Sequence, residues 1–132
     1  MTELYRNAYM TVVVEADLVS LVWTREEPGD DHAVQTATAV KESLDRHLAA
    51  HPTEKWRVLV DLTVVKRTFP RTIASYTGWL LGHRSSIRVG AFATKSFLLR
   101  AGLTTAVLVP GLTMKGFSDV GDARAFLRDS TA

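Results

Sequence analysis

Trp56-Arg57-Val58-Leu59-Val60-Asp61-Leu62-Thr63 is the stretch on which the fold turns. Val58-Leu59-Val60 is a continuous apolar run, which marks a short strand buried on both faces rather than one face wet and one dry. A strand of that kind needs a layer on each side, which helical crossovers to parallel neighbours supply. Upstream, Ala33, Ala37, Val40, Leu44 and Leu48 recur at helical spacing, with Asp30 or Asp31 as the natural N-cap and His51-Pro52 as the stop. Before that helix, Thr11–Val14 and Leu18–Trp23 flank Glu15-Ala16-Asp17 and read as a β-hairpin. Downstream, Pro70 opens a second helix whose inward stripe is Ile73, Thr77, Leu80 and Leu81. Ile87–Ala93 is a second buried strand, and Gly90 in its middle implies that something packs closely on it. Phe97–Val109 is ambiguous: Phe97-Leu98-Leu99-Arg100-Ala101 reads as helix, whereas residues 104–109 have strand composition. Leu112–Phe117 is a short strand, and Asp119 caps a last helix with Val120, Ala123, Phe126 and Leu127 on its core face.

The order is β-β-α-β-α-β-(α)-β-α. It predicts an α/β fold with a mixed sheet, an N-terminal hairpin followed by parallel central strands, and about four helices. The 132 residues make one domain, 1–132, with 46% hydrophobic and 23% charged residues, near the globular average. The absence of cysteine excludes disulfide scaffolds, zinc ribbons, iron–sulfur clusters and thiol nucleophiles. The longest charge-free apolar stretch, Ala101–Met114, contains Pro110 and is shorter than the roughly 18 residues a membrane span requires. Glu15 interrupts the apolar run after Arg6, which speaks against a cleaved secretory signal, so a cytoplasmic protein is expected.

Charge is segregated along the chain. Residues 1–45 carry three basic and nine acidic residues, a balance of −6, while residues 46–100 carry ten basic and two acidic, a balance of +8. Either the acidic face is solvated, or the basic face meets an anionic partner or the acidic face of a second copy.

The order and spacing resemble the STAS family, the fold of anti-sigma-factor antagonists and of the cytoplasmic domains of sulfate transporters. They are most similar to its stand-alone bacterial SpoIIAA-like domains. The residues carrying the likeness are the Trp56–Thr63 strand with its Asp-Leu-Thr end, the Ile87–Ala93 strand, and the closing Gly116–Leu127 segment with its Ala-containing helix. In the antagonists an Asp-Ser-Ser/Thr-Gly step then carries a phosphorylated serine. Here Thr68-Phe69-Pro70-Arg71-Thr72 stands in its place, without the acid or the Ser-Gly pair. The resemblance therefore implies the fold, and a regulatory or binding role, without that switch.

Direct signs of chemistry are few. His47 and His51 are four apart on one helix, but no carboxylate or third ligand joins them, so no metal is expected. No Gly-x-Ser-x-Gly step, P-loop or dinucleotide fingerprint occurs, and no cofactor is expected. Asp61 has no carboxylate partner in the basic block, and its structural role would be to end the strand and hydrogen-bond the following loop. Basic residues at 55, 57, 66, 67, 71, 84 and 88 are interleaved with Trp56, Phe69, Tyr76 and Trp79. Most of those aromatics fall on core faces and no nucleic-acid-binding signature is present, so no nucleic-acid partner is expected.

Position offers more. In open α/β sheets ligands gather beyond the carboxyl ends of the strands, where helix N-termini present free N–H groups. The first central strand ends at Asp61-Leu62-Thr63 and runs through Lys66, Arg67 and Thr68 to Arg71 and Thr72. The second ends at Thr94-Lys95-Ser96, with Arg100 about one turn on. These residues are the candidate binding site, for a protein partner or an anionic ligand. The expected function is thus a non-catalytic regulatory or binding domain. A homodimer is plausible because hairpin edges pair readily and the charge blocks are complementary. The alternative is a carrier or sensor of a lipid or apolar small molecule, its pocket lined by Phe97–Val109. Lipid-binding relatives of the fold lend that reading support. An enzyme of unknown class stands third.

Overall fold

The computed structural model describes residues 1–67, 69–106 and 111–130, with only the backbone at 105 and 106. Among these residues six strands and four helices follow one another: β1 (Thr2–Arg6), β2 (Met10–Glu15), β3 (Leu18–Trp23), α1 (Asp30–Ala50), β4 (Trp56–Asp61), α2 (Pro70–Gly82), β5 (Ile87–Ala93), α3 (Phe97–Ala106), β6 (Met114–Phe117) and α4 (Val120–Asp129). A single 3-10 turn, Arg84–Ser86, leads into β5. The strands lie in one mixed sheet in the order of the chain, β1-β2-β3-β4-β5-β6. β1/β2 and β2/β3 are antiparallel, and the three pairs from β3 to β6 are parallel. The α/β architecture and the parallel β4/β5 pair match the reading of the sequence.

β1 is an addition to it. Thr2-Glu3-Leu4-Tyr5-Arg6 alternates too briefly to announce a strand, and a bulge at Leu4 breaks even that alternation. The edges of the sheet are accordingly β1 and β6, and both sides of the β2–β3 hairpin are paired.

The two faces carry separate cores. On one, Met10, Val12, Val14, Val19, Leu21, Trp23, Trp56 and Val58 project toward Val40 and Leu44 of α1 and Leu80 of α2. On the other, Leu59, Val89, Ala91 and Ala93 pack against Ala123 and Leu127 of α4. Period-two alternation sends successive residues of β4 to opposite cores, which is why the strand reads as unbroken apolar sequence. A bulge in β5 adjusts the register. Trp56 pairs with Ile87 but Arg57 pairs with Val89, so Ile87 joins the helical α1–α2 core while Val89 turns to α4.

Gly90 pairs with Met114 across β5 and β6, and the Met114 thioether occupies the space where a Cβ on Gly90 would stand. One step along, Phe92 pairs with Gly116, and its ring passes 2.7 Å from the position a Gly116 Cβ would take. The close packing expected at Gly90 is therefore Met114. Each glycine makes room for the large side chain of its neighbour.

The helix termini differ in part from expectation. α1 is capped by Gly29, with no side-chain bond, and Asp30 and Asp31 lie in its first turn. α4 is capped by Asp119, which accepts from the Asp122 N–H at 3.1 Å. Leu81 is 47% exposed and leaves the α2 stripe, which keeps Ile73, Thr77 and Leu80 and gains Tyr76. The ambiguous stretch is helical from Phe97 to Ala106, and residues 107–109 lie outside the described part of the chain. Among the described residues no helix is long and apolar enough to cross a membrane.

Candidate functional site

The carboxyl ends of β4 and β5 are adjacent, as their parallel pairing requires, and the Leu62 N–H bonds to the Ala93 carbonyl at 2.8 Å beyond the last ladder pair. Asp61 Oδ1 accepts from the Thr63 N–H at 3.1 Å and from the Thr63 hydroxyl at 2.7 Å, so these two residues close the turn after β4 on themselves. Thr94 is fully buried, and its carbonyl accepts from Arg100 Nη1 at 3.2 Å. Ser96 Oγ accepts from the Leu99 N–H at 3.1 Å, an ordinary cap for α3. Lys66 and Lys95 are exposed. Thr68 lies outside the described residues.

The cations after β4 turn to the acidic segment before α1. Glu26 accepts from the backbone N–H groups of Lys66 and Arg67, and its Oε2 lies 3.5 Å from Arg67 Nε. Arg67 also donates to the Glu27 carbonyl at 3.3 Å and stacks over the Phe69 ring. Arg71 donates to Asp30 at 2.9 Å and Asp31 at 3.1 Å. The segregated charges of the sequence thus meet inside one chain and tie the β3–α1 loop to the start of α2. The blocks offered as complementary between two copies are in part engaged with each other. The pattern repeats at the opposite end of the sheet, where Asp17 accepts from Arg57 at 2.5 Å and Arg88 at 3.0 Å. Burial acts to raise the Asp17 pKa, but the hydrogen bond and charge of Arg57, its own backbone and Arg88 together hold it below the ordinary value.

Behind this clamp is a cavity of about 150 Å³ between the sheet and the helices. Its floor is Val19, Leu21 and Trp23 of β3, Val58 and Val60 of β4, Phe92 of β5 and Met114 of β6. Its roof is Ala33, Leu44 and Leu48 of α1, Ile73, Tyr76, Trp79 and Leu80 of α2, and Leu103 of α3. α2 leans chiefly on α1, and Leu80 is its one buried residue, so the space between α2 and the strands is incompletely filled. All three tryptophans of the chain, Trp23, Trp56 and Trp79, line it.

One end is polar. Glu26, Glu27, Arg67, Thr72 and Tyr76 border the cavity where the β3–α1 loop meets the start of α2. Glu27 is only 6% exposed, and its Oε1, the Tyr76 hydroxyl and Thr72 Oγ1 are buried without a hydrogen-bond partner among the described residues. The Tyr76 hydroxyl is pushed far above its ordinary pKa, by burial first and then by the charge of Glu27 and the neighbouring Tyr5, so it stays protonated. Thr72 belongs to both the predicted site and the observed cavity, as does Arg67.

Of the Phe97–Val109 segment expected to line a pocket, Leu103 does so, while Phe97 and Leu98 are 72% and 81% exposed. Glu26, Glu27, Tyr76 and Trp79 were not among the site residues expected from the sequence, where the two aromatics were read with the core faces. The signal for Tyr76 and Trp79 was an α2 face that mixes hydroxyls and aromatics where a simple core face would be aliphatic, while Glu26 and Glu27, in the loop before α1, carried none. The His47 and His51 rings pack against each other, tilted, with centroids 4.6 Å apart, and both meet Trp56, His51 edge-on. Burial, with the charge of His51, lowers the His47 pKa and favours the neutral ring.

Compared with known proteins, the chain matches no family model and no curated sequence.

Proposed function

We propose that this chain is a non-catalytic binding domain, STAS-like in architecture, whose ligand is a small apolar molecule held between the sheet and α2. The observation that carries this reading is the cavity: about 150 Å³, apolar over its floor and roof, and bordered by buried polar groups at one end. Interiors pack densely and leave few voids larger than a water. An apolar cavity of about this volume accepts a single aromatic ring in other proteins. The kinship is supported by the antiparallel hairpin followed by parallel strands, by the long helix before β4, and by the closing strand and helix.

The other reading, recognition of an anion or a protein at the ends of β4 and β5, is the weaker of the two. Arg67, Arg71 and Arg100 already have acceptors in Glu26, Asp30, Asp31 and the Thr94 carbonyl. Lys66 and Lys95 are the exposed cations that keep it in play.

The test uses the tryptophans already in place. Benzene and toluene should change their fluorescence saturably and raise the melting temperature, since a ligand that binds only the native state stabilises it. Ile73→Phe, which adds a ring at the cavity wall, should abolish both effects while the protein stays folded. Native mass spectrometry of the purified protein should show a bound small molecule that Ile73→Phe lacks. No fluorescence or thermal response to either hydrocarbon up to its solubility would refute the proposal.

A further inference from the structure

We infer that the ligand of this cavity carries a hydrogen-bond donor, a hydroxyl or an amine, at the end that meets Glu27, Tyr76 and Thr72. The inference rests on the cavity reading and narrows it to one chemical class. Its basis is the set of polar atoms left without partners. A buried polar group is nearly always hydrogen-bonded, and a buried carboxylate is costly unless paired. Glu27 Oε1 has no hydrogen-bond partner among the described residues. The nearest ring nitrogen, His32 Nδ1, stands 3.9 Å away, too far for a hydrogen bond, and is itself buried without a hydrogen-bond partner among the described residues. Arg67, which could have neutralised it, reaches past to the Glu27 and Pro28 carbonyls and to Glu26.

The chemistry of the three groups sets the polarity of the ligand. A carboxylate only accepts, while the Tyr76 and Thr72 hydroxyls each donate or accept. An alcohol or ammonium head supplies the donor that Glu27 lacks, and an alcohol oxygen can in turn accept from either hydroxyl. A carboxylate head would meet Glu26 and Glu27 at the same end, with repulsion and a desolvation cost as the result. The size of the cavity limits the apolar body to about one ring.

Four one-ring probes separate the possibilities: toluene, benzyl alcohol, benzylamine and phenylacetate, titrated against tryptophan fluorescence. Toluene reports on the cavity alone. The two donor-bearing probes should bind about tenfold or more tighter than toluene, since a hydrogen bond to a charged group is worth at least that much. Phenylacetate should bind more weakly than toluene. Glu27→Gln should remove the advantage of benzylamine over toluene. Tyr76→Phe, which preserves the ring, should weaken benzyl alcohol several-fold and serves as the variant of record if Glu27→Gln does not fold. Binding of toluene with no gain from either donor would overturn the inference and leave the cavity reading standing. So would tightest binding by phenylacetate, or an intact benzylamine advantage in Glu27→Gln. Failure of all four probes would overturn both.

Discussion

If α2 roofs a cavity rather than a packed core, two leucines of similar burial should differ sharply when truncated. Leu80 is 8% exposed and lines the cavity, while Leu59 is 0% exposed in the core under α4. Leu→Ala deletes about three methylene equivalents at roughly 0.8 kcal/mol each, a transfer cost of about 2.4 kcal/mol common to both sites. The rest of the penalty is the new void, about 24 cal/mol per Å³ where the surroundings cannot collapse. At Leu59 that void is new on every side, and the total should reach about 4 kcal/mol, inside the usual range for buried leucine. Leu80 already faces open space, so truncation adds little new void beyond the transfer cost, and Leu80→Ala should cost about 2.5 kcal/mol. Urea unfolding followed by far-ultraviolet circular dichroism measures both without relying on the cavity tryptophans. Naphthalene, too large for the native cavity, should stabilise Leu80→Ala and leave Leu59→Ala unaffected. A cost for Leu80→Ala equal to or above that of Leu59→Ala would show a filled core and refute the reasoning.

The ion pairs at the two ends of the sheet set further expectations. Asp17→Asn should cost about 2 kcal/mol, because it removes the charged acceptor of Arg57 and Arg88. Because the folded Asp17 pKa lies below its ordinary 3.8, the stabilisation is complete above that value and fades as pH falls through the folded pKa. An acid-unfolding curve should therefore lose part of its steepness below about pH 4 in Asp17→Asn. At the other end of the sheet, Arg67→Glu should lower stability by about 1 kcal/mol or less, as it is more than half exposed and salt-screened. Lys66→Glu should stay within about 0.5 kcal/mol, since it is the Lys66 backbone, not its side chain, that bonds to Glu26. Equal thermal shifts in the two variants would contradict the clamp.

Much of this protein is settled by local sequence. Val58-Leu59-Val60 had to be a doubly buried strand, Ala33 to Leu48 a one-sided helix, and Asp119 a cap, because periodicity and capping act within a few residues and survive any tertiary context that tolerates them. The alternation of such elements then imposed parallel pairing of β4 and β5, and Gly90 announced the close approach that Met114 makes. Distance along the chain hid the rest. Glu26 meets Arg67 and Asp17 meets Arg57 across forty residues or more, so charge runs that read as solvated faces or docking patches are in part closed on one another. The bulge that sends Ile87 and Val89 to opposite cores arises from pairing with Trp56 and Arg57, which β5 alone does not encode. The cavity is the least legible feature of all. It is set by how far α2 stands from the sheet, and that depends on the summed volumes of side chains from β3, β4, β5, β6 and three helices, a quantity no single segment contains.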